Sequence, residues 1–153
     1  MQYVADIFAN HMLICAVISY FAAQIIKVFI NLFREKKLDL SLIVSSGGMP
    51  SSHSSTVVAL AISAARCYGV GSPLFAITSV LAGIVMYDAA GVRRAAGEHA
   101  KVLNRLLEDL ASPDQELAEK SLKELLGHTP LQVVCGALLG FAVAMLFPLP
   151  AGL

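Results

Sequence analysis

The chain has 153 residues, of which 57% are hydrophobic and 14% charged, with 11 basic and 11 acidic side chains cancelling to zero. A soluble domain carries about 25% charged residues, and a chain with no net charge offers no electrostatic case for binding nucleic acid. Residues 93–124 hold 13 of the 22 charges, whereas 67–87 and 125–153 hold none. Such segregation excludes an ordinary soluble fold and fits a chain that crosses a bilayer. The length fits one membrane domain, residues 1–153.

No basic segment opens the chain and no small-residue cleavage site follows the first apolar run, so that run reads as a permanent span rather than a signal peptide. A span needs about 20 apolar residues in a helix. The first covers about 9–33, with Lys27 late in it. The second covers about 53–70; it starts at the polar stretch SSGGMPSSHSS and carries Arg66 near its far end. The third runs over about 73–92, from Pro73 through Asp88. Beyond it Val102, Leu103, Leu106, Leu107 and Leu110 follow the three-and-four spacing of an amphipathic helix. Ser112-Pro113-Asp114-Gln115 then reads as a capping box opening a second helix to about Leu126. Residues 93–127 thus form a helical hairpin outside the hydrocarbon. The fourth span, about 130–148, is uncharged. The expected fold is all-α: a polytopic membrane helical bundle of four transmembrane helices plus a cytoplasmic amphipathic hairpin.

Four spans put the loop after the first and the 93–127 hairpin on one side. Together they hold Arg34, Lys36, Lys37, Arg93, Arg94, Lys101, Arg105, Lys120 and Lys123, nine of the eleven basic residues. The positive-inside rule makes that side cytoplasmic and both termini external, as expected in a plasma (inner) membrane. Cys15, Cys67 and Cys135 each sit in an apolar stretch, at spacings of neither a zinc site nor a disulfide framework.

The costly polar residues gather at the same edge: Lys27, Arg34, His53, Asp88, Arg93, Arg94 and His128. Lys27 and Arg34 are seven apart and share a helix face; they suit either an anion clamp or ordinary interfacial anchoring. The run Gly47-Gly48-Met49-Pro50-Ser51-Ser52-His53 combines a tight glycine turn with a helix start, an arrangement suited to phosphate or to a plain Ser51 or Ser52 cap. Asp88 suits a salt bridge to a nearby arginine. His128, ahead of the fourth span, is placed for nucleophilic or proton-transfer chemistry. His99 belongs to the solvated hairpin. Gly136 and Gly140 make a GxxxG packing motif, a candidate seam for a homodimer.

Taken together, Lys27-x6-Arg34, Pro50-Ser51-Ser52-His53, Arg93/Arg94 and His128-x3-Gln132 resemble the three-part signature of the type 2 phosphatidic acid phosphatase and vanadium haloperoxidase superfamily. That signature reads Lys-x6-Arg-Pro, Pro-Ser-Gly-His and Ser-Arg-x5-His-x3-Asp. The stretches KVFINLFR, SGGMPSSHSS, YDAAGVRRAAGE and LGHTPLQVVCGALLG are more similar still to a small, divergent membrane branch related to it. The resemblance covers nearly the whole chain.

It implies that His128 is the nucleophile, forming a phosphohistidine, and that His53 protonates the leaving alcohol. Lys27, Arg34, Arg93 or Arg94 and the Ser51/Ser52 helix start would hold the phosphoryl oxygens. That mechanism needs no metal or other cofactor. The departures are Glu35 for Pro, Ser52 for Gly, Gln132 for the Asp that orients the nucleophile, and the hairpin inserted between Arg94 and His128. Arg93-x5-His99 keeps the spacing, but Leu103 takes the Asp position there and no membrane helix follows. Asp88 and Gln132 are the supporting residues. The expected function is hydrolysis of a lipid or isoprenoid phosphate, with membrane lipids and that substrate as partners and no nucleic acid. The alternative is a lipid-phosphate-binding or structural membrane protein that does not turn over. A metal-dependent phosphotransferase built on Asp88 is a weaker reading, since no other Asp lies in the spans and such chemistry uses several carboxylates.

Overall fold

A computed structural model describes residues 2–36, 48–110 and 128–149, and the regular structure among them is helical. The elements are α1 (Gln2–Ala9), α2 (His11–Glu35), α3 (Ser52–Tyr68), α4 (Pro73–Ala90), α5 (Val92–Leu110) and α6 (Pro130–Leu146). Side-chain caps fix the helix starts. Asn10 accepts from the Leu13 N–H (3.1 Å), which separates α1 from α2. Ser51 opens α3, Ser72 opens α4 just ahead of Pro73, and Thr129 opens α6 ahead of Pro130.

At its centre lies α3, packed against α2, α4 and α6. Its buried positions are small: Ser52, Ser54, Ser55, Ala59, Ala61, Ser63 and Ala64. Small residues let backbones approach, and α6 exploits this. A Cβ at Gly136 would run into the Ser51 carbonyl oxygen, and one at Gly140 into that of Ser55. The GxxxG seam therefore lies within the chain, between α6 and α3, rather than between two copies. On the opposite flank Ser19 of α2 donates to the Ser55 carbonyl (3.0 Å), and the Ser55 hydroxyl donates back to the Ser19 carbonyl (3.3 Å).

These contacts also set direction. The Ser51 N–H donates to the Gln132 carbonyl (3.0 Å) at one end, and Arg66 Nη1 donates to the Phe147 carbonyl (2.8 Å) and to that of Ala144 at the other. Helices α3 and α6 are thus parallel. Both α2 and α4 run opposite to them, so Lys27, Ala89, Ser51 and Thr129 share one end of the bundle.

The expected elements are largely found, with shifted edges. The first span begins at His11, and α1 is an additional helix the composition did not announce. The third apolar run stops at Ala90, because Gly91 ends α4 and α5 follows at once. Of the hairpin, α5 is present; its second helix, with the Ser112 cap, lies outside the described residues. Among the described residues two helices, α2 over His11–Phe33 and α4, are long and apolar enough to cross a membrane. The apolar helix α6 is shorter at 17 residues, rising about 25 Å. Serine-rich α3 is the interior helix of the four.

Candidate functional site

His53 and His128 reach one another from distant parts of the chain. His53 stands in the first turn of α3 and His128 two residues ahead of α6, yet their ring centroids are 5.9 Å apart at an interplanar angle of 60°. The seam explains the meeting: with Gly136 and Gly140 seated on the Ser51 and Ser55 carbonyls, the starts of α3 and α6 have to lie side by side. His128 is 2% exposed, and its backbone N–H donates to the Ala89 carbonyl (3.1 Å) at the end of α4. Three helices therefore fix this histidine.

Its tautomer follows from the neighbours. Oε1 of Gln132 accepts the Thr129 backbone N–H at 3.0 Å, so that atom is the amide oxygen. The same oxygen lies 3.2 Å from His128 Nδ1, which must then carry a hydrogen. In the neutral ring the lone pair is on Nε2. Thr129 completes a reciprocal capping box, its hydroxyl accepting the Gln132 N–H (3.3 Å). Gln132 thus caps α6 and orients His128 at once. Thr129 was missed by the sequence reading, although Thr-Pro-x-Gln has the signature of a capped helix start.

Around the pair, Ser51 is buried and caps α3 by accepting the Ser54 N–H (3.3 Å) and the Ser54 hydroxyl (3.0 Å). Its side chain is engaged as a cap, and its backbone N–H donates to the Gln132 carbonyl (3.0 Å). Ser52 is also buried. Lys27 is 3% exposed and lines a cavity of about 280 Å³ together with Asn31, Gly48, Met49, Leu131 and Gln132. Gly48 turns with φ +92°, a left-handed conformation natural to glycine, and a Cβ there would meet the aliphatic stem of Lys27. Asp88 is half-buried in the last turn of α4, beside the Ala89 carbonyl that holds His128. Arg34 lies in the last turn of α2, and Arg93 and Arg94 in the first turn of α5. His99 is exposed on α5, a helix whose packing partner is α4.

The far end of the bundle holds a larger cavity, about 620 Å³, lined by Asp6, His11, Cys67 and Tyr68 among others. His11 closes it: Nδ1 meets the Ser63 hydroxyl at 3.2 Å and the Cys67 sulfur at 3.6 Å, while Nε2 meets the Pro148 carbonyl. Three or more His, Cys, Asp or Glu side chains arranged to hold a metal do not occur among the described residues.

A model of the group described as the divergent PAP2 family matches residues 8–143. The chain is 41% identical over 150 residues to a protein of Bacillus subtilis (strain 168) described as the uncharacterized membrane protein YuiD. That match covers 92% of this chain and 95% of the relative. No solved structure matches.

Proposed function

The chain belongs to the divergent PAP2 family, and on that premise we propose that it is a membrane phosphatase for a lipid or isoprenoid phosphate, acting without a metal. The observation that carries this reading is the His53–His128 pair, with Gln132 fixing the tautomer of His128. In the first step the Nε2 lone pair of His128 attacks phosphorus, a P–N bond forms and the P–O bond to the alcohol breaks. His53, protonated, gives its proton to the departing oxygen. Water then attacks the phosphohistidine and passes a proton to His53. The P–N bond breaks, inorganic phosphate leaves and both histidines are restored.

Lys27, Arg34, Arg93, Arg94 and the N–H groups of the α3 start supply the positive field in which the phosphoryl oxygens gain charge. Asp88 supports the site through the α4 terminus. Four helices, α2, α3, α4 and α6, cross the bilayer in this reading. The pocket opens to the cytoplasm, where the basic residues lie, and both termini are external in the plasma membrane. A homodimer would add cover to so thin a bundle.

Gln132 favours a second reading. It orients His128 but adds no negative charge to stabilise an imidazolium, and loss of the equivalent carboxylate in a serine-protease triad costs about four decades of rate. On this reading the protein binds a lipid phosphate without turnover. Phosphate release from a panel of lipid phosphates, measured on purified protein with EDTA present, separates the two. Release that survives chelation and is lost in His128→Ala supports the phosphatase; vanadate binding without release supports the binder.

A further inference from the structure

We infer that the substrate's apolar chain passes between α2 and α6, over a lip made by Ile30, Met49 and Leu131, and lies in the bilayer against those two helices. The inference rests on the lipid-phosphate reading of the His53–His128 site and adds the path by which substrate reaches it.

Hydrogen bonds tie three of the helix pairs of the bundle. The His128 N–H to the Ala89 carbonyl (3.1 Å) ties α6 to α4, and the Ser51 N–H to the Gln132 carbonyl (3.0 Å) ties α6 to α3. The reciprocal Ser19–Ser55 hydrogen bonds close α2 on α3. Between α2 and α6, which pack on one another, lies the 280 Å³ cavity. Its inner wall is polar, with Lys27, Asn31 and Gln132, the last also holding His128. Exposed apolar side chains also line it, Ile30 at 37%, Met49 at 38% and Leu131 at 63%, with exposed Glu35 at the α2 terminus and Thr129 completing the lining. The lining thus offers polar groups to a phosphate head and apolar side chains to its chain, with Gln132 linking the cavity to His128.

Size separates head from tail. Pockets that enclose a drug-sized molecule run to about 300–1,000 Å³, so 280 Å³ accommodates a polar head and leaves a long hydrocarbon chain outside. Ile26 continues the lip along α2 at one-turn spacing, and Val134 and Leu138 continue it along α6, both largely exposed. A chain laid there stays among lipid tails. Selection accordingly falls on the headgroup, with little discrimination by chain length.

The test has two arms on protein reconstituted in phosphatidylcholine vesicles. First, a long alkyl phosphate with a mid-chain diazirine is photolysed with and without vanadate. Adducts on Ile26, Ile30, Val134 or Leu138 that vanadate suppresses are expected. Vanadate-sensitive adducts on the exposed α4 residues Ile77 or Ile84 instead, or none anywhere, overturn the path whether or not phosphate is released. Second, Leu131→Trp is expected to lower kcat/KM for a long-chain phosphate about ten-fold relative to a short-chain ester, while Ile84→Trp leaves that ratio unchanged. Equal ratios in the two variants also overturn the path. A wild type that releases no phosphate removes the phosphatase reading alone, since the adduct map still reports where the chain lies.

Discussion

Gln132 holds His128 through the same oxygen that caps α6, at 3.2 Å to the imidazole and 3.0 Å to the Thr129 N–H. Cap and site are therefore one arrangement, and a substitution here has two readouts. Gln132→Leu should destabilise the protein by about 1 kcal/mol through the lost cap and, separately, lower kcat by freeing the imidazole to adopt the other tautomer. Gln132→Glu keeps the length and adds the missing charge, and should raise kcat. Thermal unfolding in detergent gives the first effect and phosphate release the second. A Glu variant slower than wild type would contradict the orienting role.

The two candidate nucleophiles differ in surroundings. His128 is buried and tied to α4 and α6, whereas His99 is exposed on α5. His128→Ala is expected to abolish phosphate release and trapping of phosphohistidine, and His99→Ala to keep most of both. The reverse outcome would make Arg93-x5-His99 the functional spacing.

Glycine positions provide a packing test. A Cβ at Gly140 meets the Ser55 carbonyl, while one at Gly83 meets nothing within 4 Å. Gly140→Ala should cost about 1–3 kcal/mol through overpacking. Gly83→Ala should be neutral or stabilise by about 0.5–1 kcal/mol, since alanine is the better helix former. Unfolding temperatures of the pair decide this, and equal losses would remove the seam as a close contact.

Arg66 holds the Ala144 and Phe147 carbonyls at the end of α6. Arg66→Met keeps much of the apolar stem and removes the donors. The expected loss is about 1–3 kcal/mol, with no change in KM because the contact is at the far end from His128. A changed KM with unchanged stability would refute the assignment.

Orientation is open to labelling. With Cys15, Cys67 and Cys135 replaced by serine or alanine, Gln115→Cys should resist impermeant thiol reagents in intact cells and react once the membrane is opened. Ready labelling in intact cells would reverse the proposed topology.

Much of this was readable in the chain because membrane helices announce themselves by composition and caps. Pro73 and Pro130 mark true helix starts, and Lys27, Ser51, His53 and His128 do gather at one end. The partner of the GxxxG motif was not readable: Gly136 and Gly140 advertise a close approach without saying to what, and the answer, the Ser51 and Ser55 carbonyls, depends on tertiary packing. Serines 52, 54, 55 and 63 look like a polar weakness in a span until α3 is seen to be the interior helix. The sequence could not reveal that Gln132 serves both Thr129 and His128, because that double role needs two groups to converge on one oxygen. Nor did composition disclose His11 bridging Ser63, Cys67 and Pro148, since each residue alone is unremarkable.

The α3–α6 seam also imposes an order in time. Chains are made from the N-terminus at about 5–20 residues per second, so α3, with its serines and Arg66, is synthesised well before the helix that covers it. Until residues 128–147 emerge, Ser51 and Ser55 have no glycine face against them, Arg66 has no carbonyls to hold, and His53 has no second histidine. A ribosome stalled short of α6 would therefore carry a nascent chain with α2 and α4 in place and no assembled site. Completion of α6 is the event that closes the bundle and creates the pocket together.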